Sequence, residues 1–371
     1  MTARYRRRPT PRRTGLRRLL WPLVAALAVL AAGCGDDDAS SSADPQDVTT
    51  EALEDVEAAT STSTVEATTS AAPSDVDEVT LASGLGEVTV PITTQRVVAL
   101  DEFSAVMLVS LGVTPHAVAN FRDDPTHLSV VESSGIELLE YGNLEVLAAA
   151  EPSMIVGVTG HSDHRDLGGP LVELAPTFLT DPDDATWQGQ LRALALVTGT
   201  GPRAESIIEL IEARIDALSA QVRESEFDGS VISIITEFGP NDFWVFAPPV
   251  LSAVISDEVG FRRPPEQAEA DPGMAGFIQL SAEVVPSQVA DITISMAGPL
   301  TGGASALDND LLPESPVAVD VDGFGWGLSS PLTAWWILDD FESILFGDGS
   351  TYVSADAVDV WEQFSSAAAE D

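Results

Sequence analysis

One long amphipathic run near the middle of the chain most constrains the fold. Between residues 203 and 224 the apolar side chains recur at helical spacing on one face; they are Ile207, Ile208, Leu210, Ile211, Ile215, Leu218 and Val222. A helix of about 22 residues, rising about 1.5 Å per residue, is a rod of roughly 33 Å, about one small-domain diameter. The sequence therefore predicts a rigid helical connector with folded chain on both sides.

Short apolar runs alternate with helical patterns on both sides of this connector. Before it, we predict a hairpin at 80–91, strands at 96–100, 116–119, 154–158 and 177–179, and helices at 105–111, 144–150 and 187–197. After it, we predict strands at 230–236, 291–295 and 317–321, helices at 251–259, 332–346 and 355–364, and a further helix starting at 282–285. Such alternation is typical of parallel sheets covered on both faces. The predicted fold is α/β, with two α/β lobes of mainly parallel sheet joined by one long backbone helix.

The first 34 residues have the pattern of an export signal. Eight Arg and no acid occur in residues 1–18, and an apolar run at 19–32 is too short for a typical membrane-spanning helix. Small residues then precede Cys34, the single cysteine, as in a bacterial lipobox, although Ala31 stands where Leu is usual. We predict that residues 1–33 are cleaved and that Cys34 is lipidated; the alternatives are an uncleaved anchor and an ordinary small buried cysteine.

Charge separates the segments that follow. Residues 34–78 carry many acids, Ser and Thr but no aromatic and no basic residue, so we predict a disordered tether. Removing residues 1–33 removes eight of the 17 Lys and Arg and none of the 59 Asp and Glu, which leaves 9 − 59 = −50. A body this acidic repels phosphate backbones, so nucleic acid is not an expected partner.

Several short patterns occur in an order that points to one family. They lie at residues 86–91 with 95–100, 108–113, 143–145 with 151–156, and 280–283 with 290–294. Together they resemble the substrate-binding proteins of ABC importers, specifically the periplasmic binding proteins of the helical-backbone type that carry ferric siderophores, haem or cobalamin. The resemblance covers most of residues 85–365.

The resemblance implies a ligand cleft between the lobes and a receptor without catalytic activity or cofactor. The expected boundaries are 79–200 for the first lobe, 201–226 for the linking helix and 227–371 for the second lobe. The implied function is a monomeric, lipid-anchored receptor on the outer face of the cytoplasmic membrane. It would capture a ferric siderophore and deliver it to an ABC permease and its ATPase. The alternatives are a cobalamin or haem receptor, a lipid-anchored hydrolase or sensor, and a scaffold without ligand.

Two glutamates match the positions that this family uses to dock on its permease. Glu145 and Glu283 each stand near the start of a predicted helix. Surface carboxylates can meet arginines of a permease and set the register of the complex. The alternative is an ordinary acid favoured by the dipole of a helix N-terminus.

Ligand contacts are expected on loops at the carboxyl ends of the strands, which would face the cleft. Rings offer flat contact surface, and an arginine offers a charged fork for hydroxamate, catecholate or carboxylate oxygens. The candidates are Arg122, His161, Phe238, Trp244 and Trp326. The tryptophans could instead be core residues at the lobe edges, and Arg122 could form a surface salt bridge.

The sequence offers little for metal or catalytic chemistry. His161 and His164 lie three residues apart, but a tight zinc site needs three or four converging ligands, so no metal site is predicted. Tyr141 is a formal candidate for haem iron, but it precedes the docking motif directly and is not assigned to the cleft. No GxSxG, HExxH or phosphate-loop pattern is present, so no catalytic residue is predicted.

Overall fold

The computed structural model describes residues 77–158, 162–180, 186–269 and 276–370. The signal segment, Cys34, His161 and all but the last two residues of the predicted tether lie outside this part of the chain. In the described part, no helix is both long enough and apolar enough to cross a bilayer.

The first lobe is built on a sheet whose strands all run parallel. Its strands, after an antiparallel hairpin of β1 and β2, have the order β5-β4-β3-β6-β7. The strands are β1 Glu78–Ser83, β2 Gly86–Pro91, β3 Val97–Ala99, β4 Ala117–Asn120, β5 Glu137–Glu140, β6 Met154–Gly157 and β7 Thr177–Leu179. The helices are α1 Glu102–Ser110, α2 Pro125–Ser133, α3 Leu144–Ala149, α4 Ser162–Asp166, α5 Gly168–Leu174 and α6 Trp187–Thr198. The strand order changes direction between β3 and β6, and ligands of open α/β sheets bind at the carboxyl side of such a point.

The predicted connector is confirmed as helix α7, Gly201–Arg223. Its buried face holds most of the predicted apolar residues, while Leu210 is half-buried. That face packs against α6 of the first lobe and against helices α8 and α11 that follow. Because one stripe of α7 contacts both sides, the hydrophobic core continues from one lobe to the other.

The second lobe has a mixed sheet with the order β10-β9-β8-β11-β12. β8, β11 and β12 are parallel, whereas β9 is antiparallel to both of its neighbours. The strands are β8 Ile232–Gly239, β9 Asp242–Phe246, β10 Phe277–Leu280, β11 Ile292–Ala297 and β12 Val317–Asp322. The helices are α8 Leu251–Val259, α9 Pro265–Glu269, α10 Gly323–Gly327, α11 Pro331–Phe346 and α12 Ala357–Glu370. Short 3-10 helices lie at Val285–Ser287, Gly298–Thr301, Ala306–Asp308 and Ser354–Asp356.

The second lobe differs from the sequence prediction at several places, since β9, β10, α9 and α10 are not predicted and one predicted helix is absent. Trp244 is expected on a loop, but it lies in β9, which returns from β8 through a turn that contains Asn241 at φ 60°. The helix predicted to start at 282–285 is wrong, since a turn and the 3-10 helix Val285–Ser287 stand there. Pro286 has no backbone N–H to donate within a longer helix.

The last helix returns to the first lobe. α12 packs against α2, although it follows all the strands of the second lobe. The Arg203 guanidinium, near the start of α7, donates to the carbonyl of Ala368 in α12 and, at 3.3 Å, to the carbonyl of Ser110 in α1. The chain therefore connects the two sheets twice, through α7 and through α12.

Candidate functional site

The carboxyl edges of the two sheets face each other where the lobes meet. Asp322 ends β12 of the second lobe, and its Oδ2 accepts from the Ser354 hydroxyl at 2.7 Å. The Ser354 oxygen in turn accepts from the hydroxyl of Thr126, in α2 of the first lobe, at 3.3 Å. Since α2 follows β4, this chain of hydroxyls joins the carboxyl side of one sheet to that of the other.

A second buried link lies beside the first. The ring of His127 in α2 contacts the Asp124 carboxylate through Nδ1 and the Ser330 hydroxyl through Nε2, the latter at 2.8 Å. Asp124 caps α2, and Ser330 caps α11 by accepting from the Thr333 amide at 3.2 Å. Asp, His and Ser are the residue types of a hydrolase triad, but all three are 0% exposed. They join two helix ends and offer a substrate no access in this conformation.

Two acids at the end of β3 shape the first-lobe edge. Asp101 caps α1 and accepts from the amide of Val158 across the switch point at 3.1 Å. Glu102 accepts from the amides of Phe121 and Arg122 at 3.1 and 2.8 Å. Burial raises the pKa of the Glu102 carboxyl, and these amide bonds oppose that rise. The loop after β4 is thereby fixed to the start of α1.

Three rings, which we name the first-lobe ring cluster, meet at this edge: Phe121, Tyr141 and His164. Phe121 follows β4, Tyr141 follows β5, and His164 lies in α4 after β6. The centroid of Phe121 lies 4.6 Å from that of Tyr141 and 4.8 Å from that of His164. The guanidinium carbon of Arg122 lies 5.3 Å from the Phe121 centroid. The edge therefore offers the partly exposed rings of Phe121 and Tyr141, with a cation over Phe121, while His164 is buried behind them.

The phenol of Tyr141 is an unusual member of this cluster. Its oxygen is buried, and no described residue forms a hydrogen bond with it. Burial, and then the charges of Asp163, Asp101 and Asp166, raise its pKa. The phenol stays protonated at neutral pH, so it can donate its hydrogen to an acceptor.

Tyr141 is set aside in the sequence because it directly precedes the docking motif, and β5, which positions it, is not among the predicted strands. Residues 137–140 read ELLE, which lacks the alternation of a half-buried strand. A β4–α2–β5 unit could have been inferred from the sequence. If β5 pairs in parallel with β4, the residue that follows β5, Tyr141, lies beside Phe121, which follows β4.

Two predicted ligand residues of the second lobe lie near its carboxyl edge. Phe238, in β8, is 46% exposed, and Trp244, in β9, is half-buried. Their ring centroids are 6.4 Å apart in an edge-to-face arrangement. The Trp244 Nε1 donates to Asp242 Oδ1 at 2.9 Å, which fixes the indole on the hairpin. Arg122 is exposed on the opposite lobe, and His161 lies outside the described residues.

The predicted placement of Trp326 in a cleft loop needs correction. Trp326 belongs to α10 and is 0% exposed, so it presents no surface to a ligand in this conformation. Its Nε1 donates to Asp340 Oδ2 at 2.7 Å. Burial raises the pKa of the Asp340 carboxyl to about 7, while the bond from Trp326 opposes this rise.

The two predicted docking glutamates occupy matching places on the two lobes. Glu145 is exposed in the first turn of α3, shortly after β5 ends. Glu283 is exposed in the turn after β10. β5 and β10 are both edge strands, so each glutamate stands at an outer corner of its sheet on the carboxyl side.

The described surface contains cavities away from the rings as well as near them. One of about 290 Å³ at the end of β8 is lined by Glu237, Gly239, Pro240, Asn241, Ala304 and Asn309. A larger one of about 610 Å³ lies at the end of α11 and includes Phe346 and Tyr352. The acids Asp339 and Glu342 of this larger cavity are already paired with Arg214 at 2.7 and 3.0 Å. We therefore place the candidate site at the carboxyl edges. Within the described ranges, no group of three or more His, Cys, Asp and Glu residues could hold a metal ion.

Comparison with known proteins agrees with this architecture. A family model described as periplasmic binding protein matches residues 97–314. No curated protein matches the chain by sequence. Solved structures of low identity share its fold.

FhuD2 from Staphylococcus aureus with bound ferrioxamine B is 16% identical with a TM-score of 0.58, covering 69% of this chain and 99% of its own. SirA from the same organism, complexed with staphyloferrin B, is 20% identical with a TM-score of 0.59, covering 72% and 98%. The catecholate-siderophore binding protein VctP from Vibrio cholerae is 19% identical with a TM-score of 0.58, covering 72% and 100%. Since the family model matches more than half of its length, this chain belongs to the periplasmic binding protein family, a class that binds solutes and catalyses no reaction.

Proposed function

We propose that this protein is a lipid-anchored, extracytoplasmic solute-binding protein that captures a ferric siderophore and delivers it to an ABC import permease. The observation that carries the proposal is the pair of facing carboxyl edges, with rings and Arg122 on the first and Phe238 and Trp244 on the second. The structures of FhuD2 with bound ferrioxamine B and of SirA complexed with staphyloferrin B support it.

The chemistry of these edges suits a bulky iron chelate. A ferric siderophore is a rigid body with oxygen acceptors around the metal and apolar linkers outside it. Arg122 and the phenol of Tyr141 can donate to the oxygens, while Phe121, Phe238 and Trp244 offer flat faces to the linkers. His161, on the loop after β6, stays a proposed contact of the same edge.

A ligand titration tests this function. Ferric hydroxamate, ferric catecholate, ferric citrate, haem and cobalamin are each added while tryptophan emission and melting temperature are recorded. A ferric siderophore should raise the melting temperature in a dose-dependent way, because it binds the folded state alone. It should also quench emission in wild type and less in Trp244→Phe. A response to haem or cobalamin alone would support the alternative receptor, and no response to any of them would refute the proposal.

Docking through Glu145 and Glu283 is a second part of the proposal. Their places on the outer corners of the two lobes suit a permease that contacts both lobes at once. Glu145→Arg with Glu283→Arg should abolish uptake in cells while the affinity for the chelate stays unchanged, since like charges now oppose the permease arginines. Glu209→Arg, an exposed acid on α7, is the control and should leave uptake intact. Lost chelate affinity would mean that the two glutamates belong to the ligand site instead.

The lipid anchor has its own test. Cys34→Ala removes the proposed acylation site, so the protein should move from the membrane fraction to the soluble extracytoplasmic fraction. Retention of the variant in the membrane fraction would favour the uncleaved-anchor alternative.

A further inference from the structure

The cavity at the end of β8 contains a carboxylate whose charge is not neutralised. Glu237 is 9% exposed, and its Oε1 accepts from the Asn241 amide and the Asn309 Nδ2, both at 2.9 Å. Among the described residues, no donor reaches its Oε2 and no Arg or His forms an ion pair with it. Glu237 lines the cavity, so a positively charged donor on a molecule held there can bond to Oε2.

The basic residues of the second lobe lie away from Glu237 or are already paired. Residues 227–371 contain two basic residues, Arg262 and Arg263. Arg262 bridges the start of β8, and Arg263 pairs with Asp257 at 2.8 Å. At about 3.3 Å per residue, the start of β8 is roughly 16 Å from Glu237, so Arg262 does not contact its carboxylate.

The opposite edge has the complementary chemistry. Arg122 and Arg165 are both exposed on segments that follow β4 and β6 of the first lobe. The cleft therefore has its arginines on one side and an open, nearly buried carboxylate on the other. A ligand that matches both lobes has oxygen acceptors for the arginines of the first lobe and a positively charged group for Glu237 of the second.

We propose that the cavity at the end of β8 binds a protonated amine through Glu237, and that the chelate preferred by this protein carries such an ammonium group. This inference rests on the proposed function, because it names the charge of the chelate that the same cleft holds. A volume of about 290 Å³ admits an alkylammonium tail but not a whole ferric siderophore. Small or neutral residues line the rest of the cavity, so no second charge competes for the amine.

The experiment compares two chelates that differ by one charge. A linear ferric tris-hydroxamate with a free terminal amine and the same chelate with that amine acetylated are titrated against the full-length protein. A charge-assisted hydrogen bond should give the amine form at least about a tenfold lower Kd. In Glu237→Gln the preference should fall to about onefold, while the Kd of the acetylated chelate changes less than about twofold. The glutamine oxygen can still accept from Asn241 and Asn309, so a purely structural role would leave the preference intact.

Asp308→Asn is the matched control. It removes the same charge from an exposed residue beside the cavity, and it should keep the preference for the amine form. Equal Kd values for the two chelates in wild type, a preference that survives in Glu237→Gln, or an equal loss in Asp308→Asn would each overturn the inference. The wild-type comparison stands even if Glu237→Gln fails to fold. If both chelates bind equally, the inference fails while the proposed function stands; if no ferric chelate binds, both fail.

Discussion

The two lobes build their carboxyl edges from different chemistry on a similar β/α frame. In the first lobe every strand of the sheet is parallel, and the ends of three neighbouring strands bring Phe121, Tyr141 and His164 into one cluster. In the second lobe β9 turns back beside β8, so Phe238 and Trp244 lie on a hairpin. Glu237, also at the end of β8, is nearly buried, and no Arg or His of the described residues forms an ion pair with it.

The difference shows that an aromatic residue just after a strand does not always lie at the exposed edge of the sheet. In the first lobe, Phe121 and Tyr141 follow strands and remain partly exposed at the sheet edge, although His164 beside them is buried. In the second lobe, Trp326 follows β12 but is drawn beneath the edge, where its N–H satisfies the buried Asp340. Trp326 is buried because α10 packs against α11, and its position just after a strand does not reveal this.

The largest expected effect concerns this supporting tryptophan. Trp326→Ala should lower the free energy of unfolding by about 3–5 kcal/mol, because it opens a cavity and leaves Asp340 without its indole donor. Trp244→Ala, which removes a half-buried ring of the same type, should cost less than half as much. Urea denaturation followed by circular dichroism measures both. Equal losses would contradict the distinction between the two tryptophans.

The next effect concerns the proton on Asp340. Because its pKa is raised from 3.8 to about 7, the folded state holds a proton that the unfolded state has released within this range. Stability should therefore fall as pH rises from about 4 to about 7, by up to about 1.4 kcal/mol per pH unit for one proton. Asp340→Asn, which carries no titrating group, should remove this part of the slope, whereas the exposed-site change Asp308→Asn should leave it. An unchanged slope in Asp340→Asn would contradict the assignment.

A smaller effect is expected where the lobes touch. Ser330→Ala removes both the cap of α11 and the hydroxyl that His127 contacts, and should cost about 1–2 kcal/mol in thermal or urea unfolding. Ser366→Ala, on the exposed side of α12, should stay within about 0.5 kcal/mol of wild type. If the two variants were equally stable, the link between α2 and α11 would have no energetic role.

The smallest effect sharpens the assignment of the first-lobe edge. Tyr141→Phe removes a hydroxyl without a described partner, so stability should change little. The affinity for an oxygen-rich chelate should fall by about 0.5–1.5 kcal/mol, the usual net value of one hydrogen bond. Calorimetric titration measures this loss. Unchanged affinity together with lower stability would mean that the phenol serves the fold and not the ligand.

Much of the architecture could be predicted because it follows from periodicity. The apolar stripe of α7 fixed its length nearly to the residue, and the β/α alternation predicted both mainly parallel sheets. The strand β9 was missed, although DFWVF alternates, because the aromatic residues there were interpreted as loop contacts. Periodicity reports which face is apolar, and it does not report which neighbour covers that face.

The candidate site was less predictable for the same reason. Arg122, Phe238 and Trp244 could be placed near strand ends, but the burial of Trp326 depends on residues far along the chain. A side chain added at Gly325 would lie 2.6 Å from the Trp336 ring, so α10 and α11 pack too closely to leave Trp326 at the surface. Such contacts arise from the tertiary arrangement and have no signal in local sequence.

The double connection between the sheets has a mechanical consequence. Because two helices, α7 and α12, join the lobes, we expect the lobes to bend and twist little relative to each other. The Arg203 guanidinium clamps both helices to α1. A carboxypeptidase that removed Ala368 would remove the hydrogen bond from Arg203 to α12. The lobes would then be held mainly by α7 and should move more easily relative to each other.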